Sequence, residues 1–199
     1  MAKDWIHGEK SITWQWILRD FAFRIVVYLT IPLLALRFLS LSPESIGIAL
    51  PNTKQLLLTI PLSIFTFGLC LYFRGGSRRK RHLNPTRDFW FSFYLFFINS
   101  PTEELFYRGF LLLVFTKLLG NPAYALVVSS LLFGWQHFFF FGASSKSVIF
   151  DTMGGFFLGF CYIWLGKSLV PVIIIHGVSN LALFTLGTYI IRKWRLWES

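Results

Sequence analysis

Charge is scarce in this 199-residue chain: Asp, Glu, Lys and Arg together make up 14% of it, and acids are scarcer than bases, nine against nineteen. Soluble domains carry about 25% charged residues, so the composition excludes an ordinary water-soluble fold. Cysteine is nearly absent as well. Cys70 and Cys161 fall in different apolar segments with no CxxC or metal-ligand spacing, which excludes a disulfide framework and a thiol centre and leaves both as packing residues. No small-residue cleavage site follows the first apolar run, and the first ten residues carry charges of both signs. A removable signal peptide is therefore not expected, and the first run should remain as an anchor. Internal repeats and low-complexity tracts are missing too, and a chain of this length leaves no sign of a second domain.

What the chain does have is apolar length. It is 55% hydrophobic and 20% aromatic, and several stretches approach the roughly 20 residues that span a bilayer as helix. The expected fold class is all-α, a polytopic membrane helix bundle of about six helices near residues 18–39, 55–73, 89–118, 122–141, 148–165 and 169–191. Turn-rich stretches separate them: Ser40 to Asn52, the basic Arg74 to Arg87 loop, Gly120-Asn121-Pro122, and Gly142 to Ser147. The positive-inside rule places the Arg74, Arg78, Arg79, Lys80, Arg81 and Arg87 loop in the cytoplasm with the Arg192, Lys193 and Arg195 tail. Six spans then put the N-terminus, with Lys3 and Lys10, there too. The opposite loops offer only Arg37, Lys54, Lys117 and Lys167. The net charge of +10 is thus mostly topology. In a short juxtamembrane loop the Arg78–Arg81 run reads as contact with anionic lipid headgroups, and no nucleic-acid partner is expected.

Three polar clusters interrupt the apolar segments: Glu103 to Arg108, Phe133 to His137, and His176 to Asn180. Ionisable groups at membrane depth are costly and mark function unless a partner neutralises them. Glu104 and Arg108 are four apart, acid first, so they share a helix face and can neutralise each other. Glu103 is rotated about 100° away, beside Tyr107 and without an obvious partner in its own helix. One carboxylate then reads as structural and one as working. A plainer reading makes Ser100, Pro101 and Glu103 a capping box at a helix start. Phe133 and His137 share a face, with Gly134 allowing a neighbouring helix to approach, although a lone histidine can also anchor an interface. His176 and Asn180 lie one turn apart between wholly apolar flanks, where an imidazole and an amide want a polar guest. Gly155 and Gly159 have the spacing of tight helix packing.

In order and spacing these residues resemble the CPBP family of intramembrane proteases, the CAAX-protease and bacteriocin-processing group also called Abi. The family's patterns are a double glutamate with an arginine, a phenylalanine with a histidine, and a histidine with an asparagine. This chain has Glu103, Glu104 and Arg108, then Phe133 and His137, then His176 and Asn180. The resemblance covers roughly Phe89 to Thr188. It divides the chain into N-terminal helices of unassigned role (1–88), a catalytic helix core (89–191) and a basic cytoplasmic tail (192–199).

The resemblance implies an enzyme that hydrolyses a peptide bond in a membrane-associated protein or peptide, in C-terminal processing or sorting, at the cell membrane. Glu103 would be the general base on a water shared with His137. His176 and Asn180 would donate to the oxyanion, and Glu104, Arg108 and Phe133 would support them. The family is also described as metalloproteases, and Glu103, His137 and His176 match the ligand set of a catalytic zinc site. The absence of HExxH spacing, ligands on three separate helices and the oxyanion character of Asn180 favour no cofactor, with zinc as the alternative.

Other readings stay open. One is a catalytically silent immunity or partner-binding protein on the same fold. Another is a proton path through Glu103, Asp151, His137 and His176, against which Asp151 is more simply read as an interfacial cap. On a continuous third helix Glu103 lies about 21 Å from the cytoplasmic end, and His176 about 10 Å from the opposite face. Convergence would need tilt, a break at Asn99 to Pro101, or a thinned membrane.

Overall fold

The computed structural model describes residues 14–75, 84–141 and 144–193. Lys3, Lys10, Arg78–Arg81 and Arg195, which carry much of the topology argument, lie outside them. The described residues form seven α-helices and no strand. We number these α1 (Trp14–Phe38), α2 (Thr53–Gly75), α3 (85–119), α4 (Pro122–Phe141), α5 (Ser145–Trp164), α6 (Leu169–Phe184) and α7 (Leu186–Lys193). The expectation of an all-α membrane bundle is met.

Local chemistry explains where the helices start and stop. Asn52 accepts from the Gln55 backbone N–H at 2.9 Å while the Gln55 side chain accepts from the Asn52 N–H at 2.6 Å, a reciprocal cap that starts α2. Asn84 accepts from the Arg87 N–H at 3.0 Å ahead of Pro85, which starts α3 four residues earlier than its apolar run. Gly120, at φ +67°, ends α3. Ser144 caps α5 by accepting from the Ser147 N–H. Asp151, two turns in, is therefore not the interfacial cap expected of it.

Two expectations about helix continuity are corrected. No break occurs at Asn99 to Pro101, because the backbone stays helical through Asn99 and Ser100. Neither residue is an N-cap by its side chain, so Glu103 does not sit at a helix start and the capping-box reading falls. Instead α3 widens into π-type turns at Leu95–Asn99 and Leu105–Leu111, on either side of the Ser100–Glu104 segment. A third such turn, Arg24–Leu29, lies in α1. Turns of this kind are rare and concentrate at functional sites. The last expected helix does not run on to residue 191. It bends by 46° at Thr185, between α6 and α7. Gly187 lies so tight against the Ala182 carbonyl that a Cβ there would collide with it.

Polarity is inverted relative to a water-soluble protein. Leu50, Phe38, Leu118 and Phe139 are exposed, while Arg24, Asp88, Glu103, Glu104 and Arg108 are buried. Among the described residues three helices are long and apolar enough to cross a membrane, Trp14–Phe38, Thr53–Arg74 and Ser145–Trp164, and the bent α6–α7 pair would make a fourth. α3 and α4, which carry two of the polar clusters, fall outside that group.

Glycines set the closest approaches. A Cβ on Gly134 of α4 would run into the Thr152 hydroxyl of α5, one on Gly155 would lie 3.0 Å from the Phe133 ring, and one on Gly159 would strike Leu126. These three make the α4–α5 seam, as their spacing implied. The loop after α1 folds inward, with Ile46 fully buried. Its carbonyl lies where a Cβ on Gly109 would come within 2.6 Å, and Gly47 O accepts from the Leu169 N–H at 3.0 Å. The loop thereby pins α3 to the start of α6.

Candidate active site

The site is a buried polar layer where α1, α3, α4 and α6 meet. Its centre is the pair of adjacent glutamates on α3. Glu104 is fully buried, and its Oε1 accepts from Arg108 Nη1 at 3.1 Å and from His176 Nδ1 at 2.6 Å. The Glu104–Arg108 pair read from spacing is present; the bond to His176 was not foreseen. Arg108 also donates from Nη2 to the Gly155 carbonyl at 2.9 Å, and its guanidinium lies 4.5 Å from the Phe133 ring centroid. The arginine thus ties α3 to α5 while its face is covered by α4.

Glu103, 2% exposed, has a partner that spacing within α3 could not show. Arg24 on α1 donates from Nη1 to Glu103 Oε1 at 2.8 Å. Glu103 thus has no charged partner on its own helix, as expected, and is paired from α1. Its other oxygen, Oε2, lies 3.8 Å from His176 Nε2. Because a carboxylate only accepts, the short bond to Glu104 requires the hydrogen on His176 Nδ1. Nε2 can then donate as well only when the ring carries both protons.

Asn180, one turn after His176, donates from Nδ2 to Asn99 Oδ1 and to Ser100 Oγ, each at 3.2 Å. Asn99 Nδ2 in turn reaches Glu103 Oε1 at 3.4 Å. The amide is held by α3 from the side opposite the imidazole. Gly177, between the two, permits the close approach: a Cβ there would lie 2.6 Å from the Phe96 ring.

His137 is half-buried, and its Nδ1 bonds to the Phe133 carbonyl at 2.7 Å. That carbonyl can only accept, so Nδ1 carries a hydrogen, and in the neutral ring Nε2 holds the lone pair. The Phe133 ring packs 5.0 Å from the His137 ring and 6.1 Å, edge-on, from the His176 ring. Phe133 thus separates the imidazoles from Arg108 and dries the space between them. Asp151 on α5 is half-buried. All seven residues singled out from sequence meet in or beside this layer.

Spacing did not reveal Asp20, Arg24, Tyr94 or Asn99. One signal was available: Asp20 and Arg24 stand four apart inside an apolar run, the same arrangement that marked Glu104 and Arg108.

The zinc alternative can be tested on these groups. Among the described residues no three His, Cys, Asp or Glu side chains are grouped around a common centre. The Arg24 guanidinium sits on one oxygen of Glu103, where it would repel a dication, whereas His176 bonds to Glu104 through Nδ1 and keeps Nε2 towards Glu103. Arg24 is therefore the group that opposes a dication at Glu103.

A family model described as Rce1-like, type II CAAX prenyl endopeptidase Rce1-like, matches residues 85–182, just under half of the chain. That segment holds Glu103, Glu104, Arg108, Phe133, His137, His176 and Asn180. The match is consistent with the CPBP/CAAX protease family, and it supports a CAAX-type intramembrane endopeptidase in general. No curated protein and no solved structure matches the chain.

Proposed function

We propose that the protein is a multi-pass, glutamate-type endopeptidase of the cell membrane that cleaves one peptide bond in a membrane-associated protein or peptide, in C-terminal processing or sorting. A prenylated C-terminal peptide, the substrate class in the matching family's description, is the first candidate. The observation that carries this reading is Glu103 Oε2 facing His176 Nε2 at 3.8 Å inside a buried polar layer. That gap is too long for a direct hydrogen bond, and one oxygen atom can approach both groups.

In the mechanism that follows, Glu103 Oε2 takes a proton from a water whose second hydrogen is held by His137 Nε2. The hydroxide adds to the scissile carbonyl carbon and the carbonyl electron pair moves onto oxygen. Asn180 Nδ2, whose two hydrogens otherwise go to Asn99 and Ser100, turns one of them to that oxyanion, and His176 Nε2 donates to it in the doubly protonated ring. Such donors act most strongly where water is excluded. When the tetrahedral intermediate collapses, the C–N bond breaks and Glu103 returns the proton to the leaving amine. Glu104 orients His176 through Nδ1, and Arg108 holds Glu104. No step passes through a metal, since Arg24 would oppose a dication at Glu103.

Six spans with both termini cytoplasmic, contact with anionic headgroups and no nucleic-acid partner complete the proposal; they rest on the distribution of basic residues.

The test compares wild type with Glu103→Gln in the native membrane, using mass spectrometry of membrane-protein termini. A terminus that disappears in the variant at unchanged protein level supports proteolysis and names the substrate. Identical termini under conditions where the protein is needed would favour the silent immunity or partner-binding reading.

A further inference from the structure

The α3, α4 and α6 groups leave a buried charge cluster on α1 unused. Arg24 is 1% exposed and lies between two carboxylates. Its Nε donates to Asp20 Oδ2 at 2.7 Å and its Nη1 to Glu103 Oε1 at 2.8 Å. Asp20 also accepts from the Tyr94 hydroxyl, and Arg24 Nη1 lies 3.5 Å from the Asn99 carbonyl. The Arg24 guanidinium further lies 5.5 Å from the Tyr28 ring centroid. A planar guanidinium offers donors at fixed angles, so anchoring one edge on Asp20 fixes where the other edge points. With Arg24 and Asn99 both on Oε1 of Glu103, the oxygen turned towards His176 is Oε2.

We propose that Arg24 is a positioning residue for Glu103: the N-terminal helix, outside residues 85–182, decides which carboxylate oxygen meets the water, with Asp20 and Tyr94 anchoring the guanidinium. The assignment rests on Glu103 being the base described above. It also gives α1 a role that its sequence did not disclose. Lysine would not replace Arg24, because one ammonium on a flexible stem cannot hold both carboxylates in fixed directions.

The experiment uses the full chain in phosphatidylcholine vesicles, treated at neutral pH with dicyclohexylcarbodiimide, with modified peptides quantified by mass spectrometry. The reagent attacks protonated carboxyl groups in apolar surroundings and spares an ion-paired carboxylate. Wild type should label weakly at Glu103. Arg24→Gln should label there at least tenfold more, with Glu104 unchanged beneath Arg108, and Arg24→Lys should fall between. Equal Glu103 labelling in wild type and Arg24→Gln overturns the proposal. So does a parallel rise at Glu103 and Glu104, which would report a loosened fold rather than a lost clamp. If Arg24→Gln fails to accumulate, the double variant Arg24→Gln/Glu103→Gln decides: recovered accumulation supports the pair, and continued loss overturns it. Labelling requires no cleavage, so a positive result with termini unchanged by Glu103→Gln would sink the protease reading and leave the clamp standing.

Discussion

His176 donates from Nδ1 to Oε1 of Glu104 across 2.6 Å, and the same oxygen accepts from Arg108 at 3.1 Å. One carboxylate oxygen therefore joins α3 to α6 and neutralises the arginine on its own helix. Removing one partner of a buried pair leaves the other charged and unsolvated. Glu104→Gln is expected to cost about 3–5 kcal/mol, read as a lower midpoint of thermal unfolding in detergent. Adding Arg108→Met should recover much of the loss; no recovery would show that the arginine draws its compensation elsewhere.

Asn180 spans from α6 to both Asn99 and Ser100. As an oxyanion donor it should matter to rate far more than to folding. Asn180→Ala is expected to lower kcat roughly 100- to 1,000-fold, measured on the substrate found by terminus analysis. A fall in protein level that matches the fall in activity would instead assign the amide to packing.

Gly134 leaves no room between α4 and α5, because a Cβ there would collide with the Thr152 hydroxyl and lie 2.8 Å from the Val148 carbonyl. Gly134→Val must push the helices apart, at about 1–3 kcal/mol for overpacking. Both Phe133 and His137 ride on that helix face, so cleavage should fall by more than stability alone accounts for. Thr152→Ala, which removes the nearest obstructing atom, should soften the effect when combined with it.

The guanidinium on Glu103 sets the expected answer to metal removal. Dialysis against a strong chelator should leave cleavage within twofold of the untreated protein, and metal analysis of the active preparation should give well under one zinc per chain. Loss of activity on chelation, restored by zinc alone, would contradict the metal-free mechanism.

Much of this arrangement is legible in the sequence because it is local. The Glu104–Arg108 pair, the shared face of Phe133 and His137, and the turn joining His176 to Asn180 all follow from four-residue spacing on a helix. The α4–α5 seam follows from Gly134, Gly155 and Gly159, since only small residues let helices touch in lipid. The partner of Glu103 did not follow. Asp20 and Arg24 lie close to the expected start of the first helix, where charged side chains commonly reach the membrane surface, and no spacing rule links residue 24 to residue 103. The bend at Thr185 was equally hidden, because its apolar neighbours read as one continuous run; Gly187, where a Cβ would strike the Ala182 carbonyl, is the residue that leaves room for it.

The widened turns of α3 carry one further consequence. A π turn holds an extra residue compared with an α turn, so it absorbs that residue without shifting the rotational phase of everything beyond it. Deleting one residue within Leu105–Leu111 would remove the extra residue and restore ordinary winding, and the remainder of α3 would keep its bearing relative to Glu103. The same deletion within Leu112–Leu119, where winding is already ordinary, would swing the helix end beyond it by about 100° and spare the charged layer. A widened turn is thus a place where chain length can change by one residue without re-aiming the side chains on either side of it.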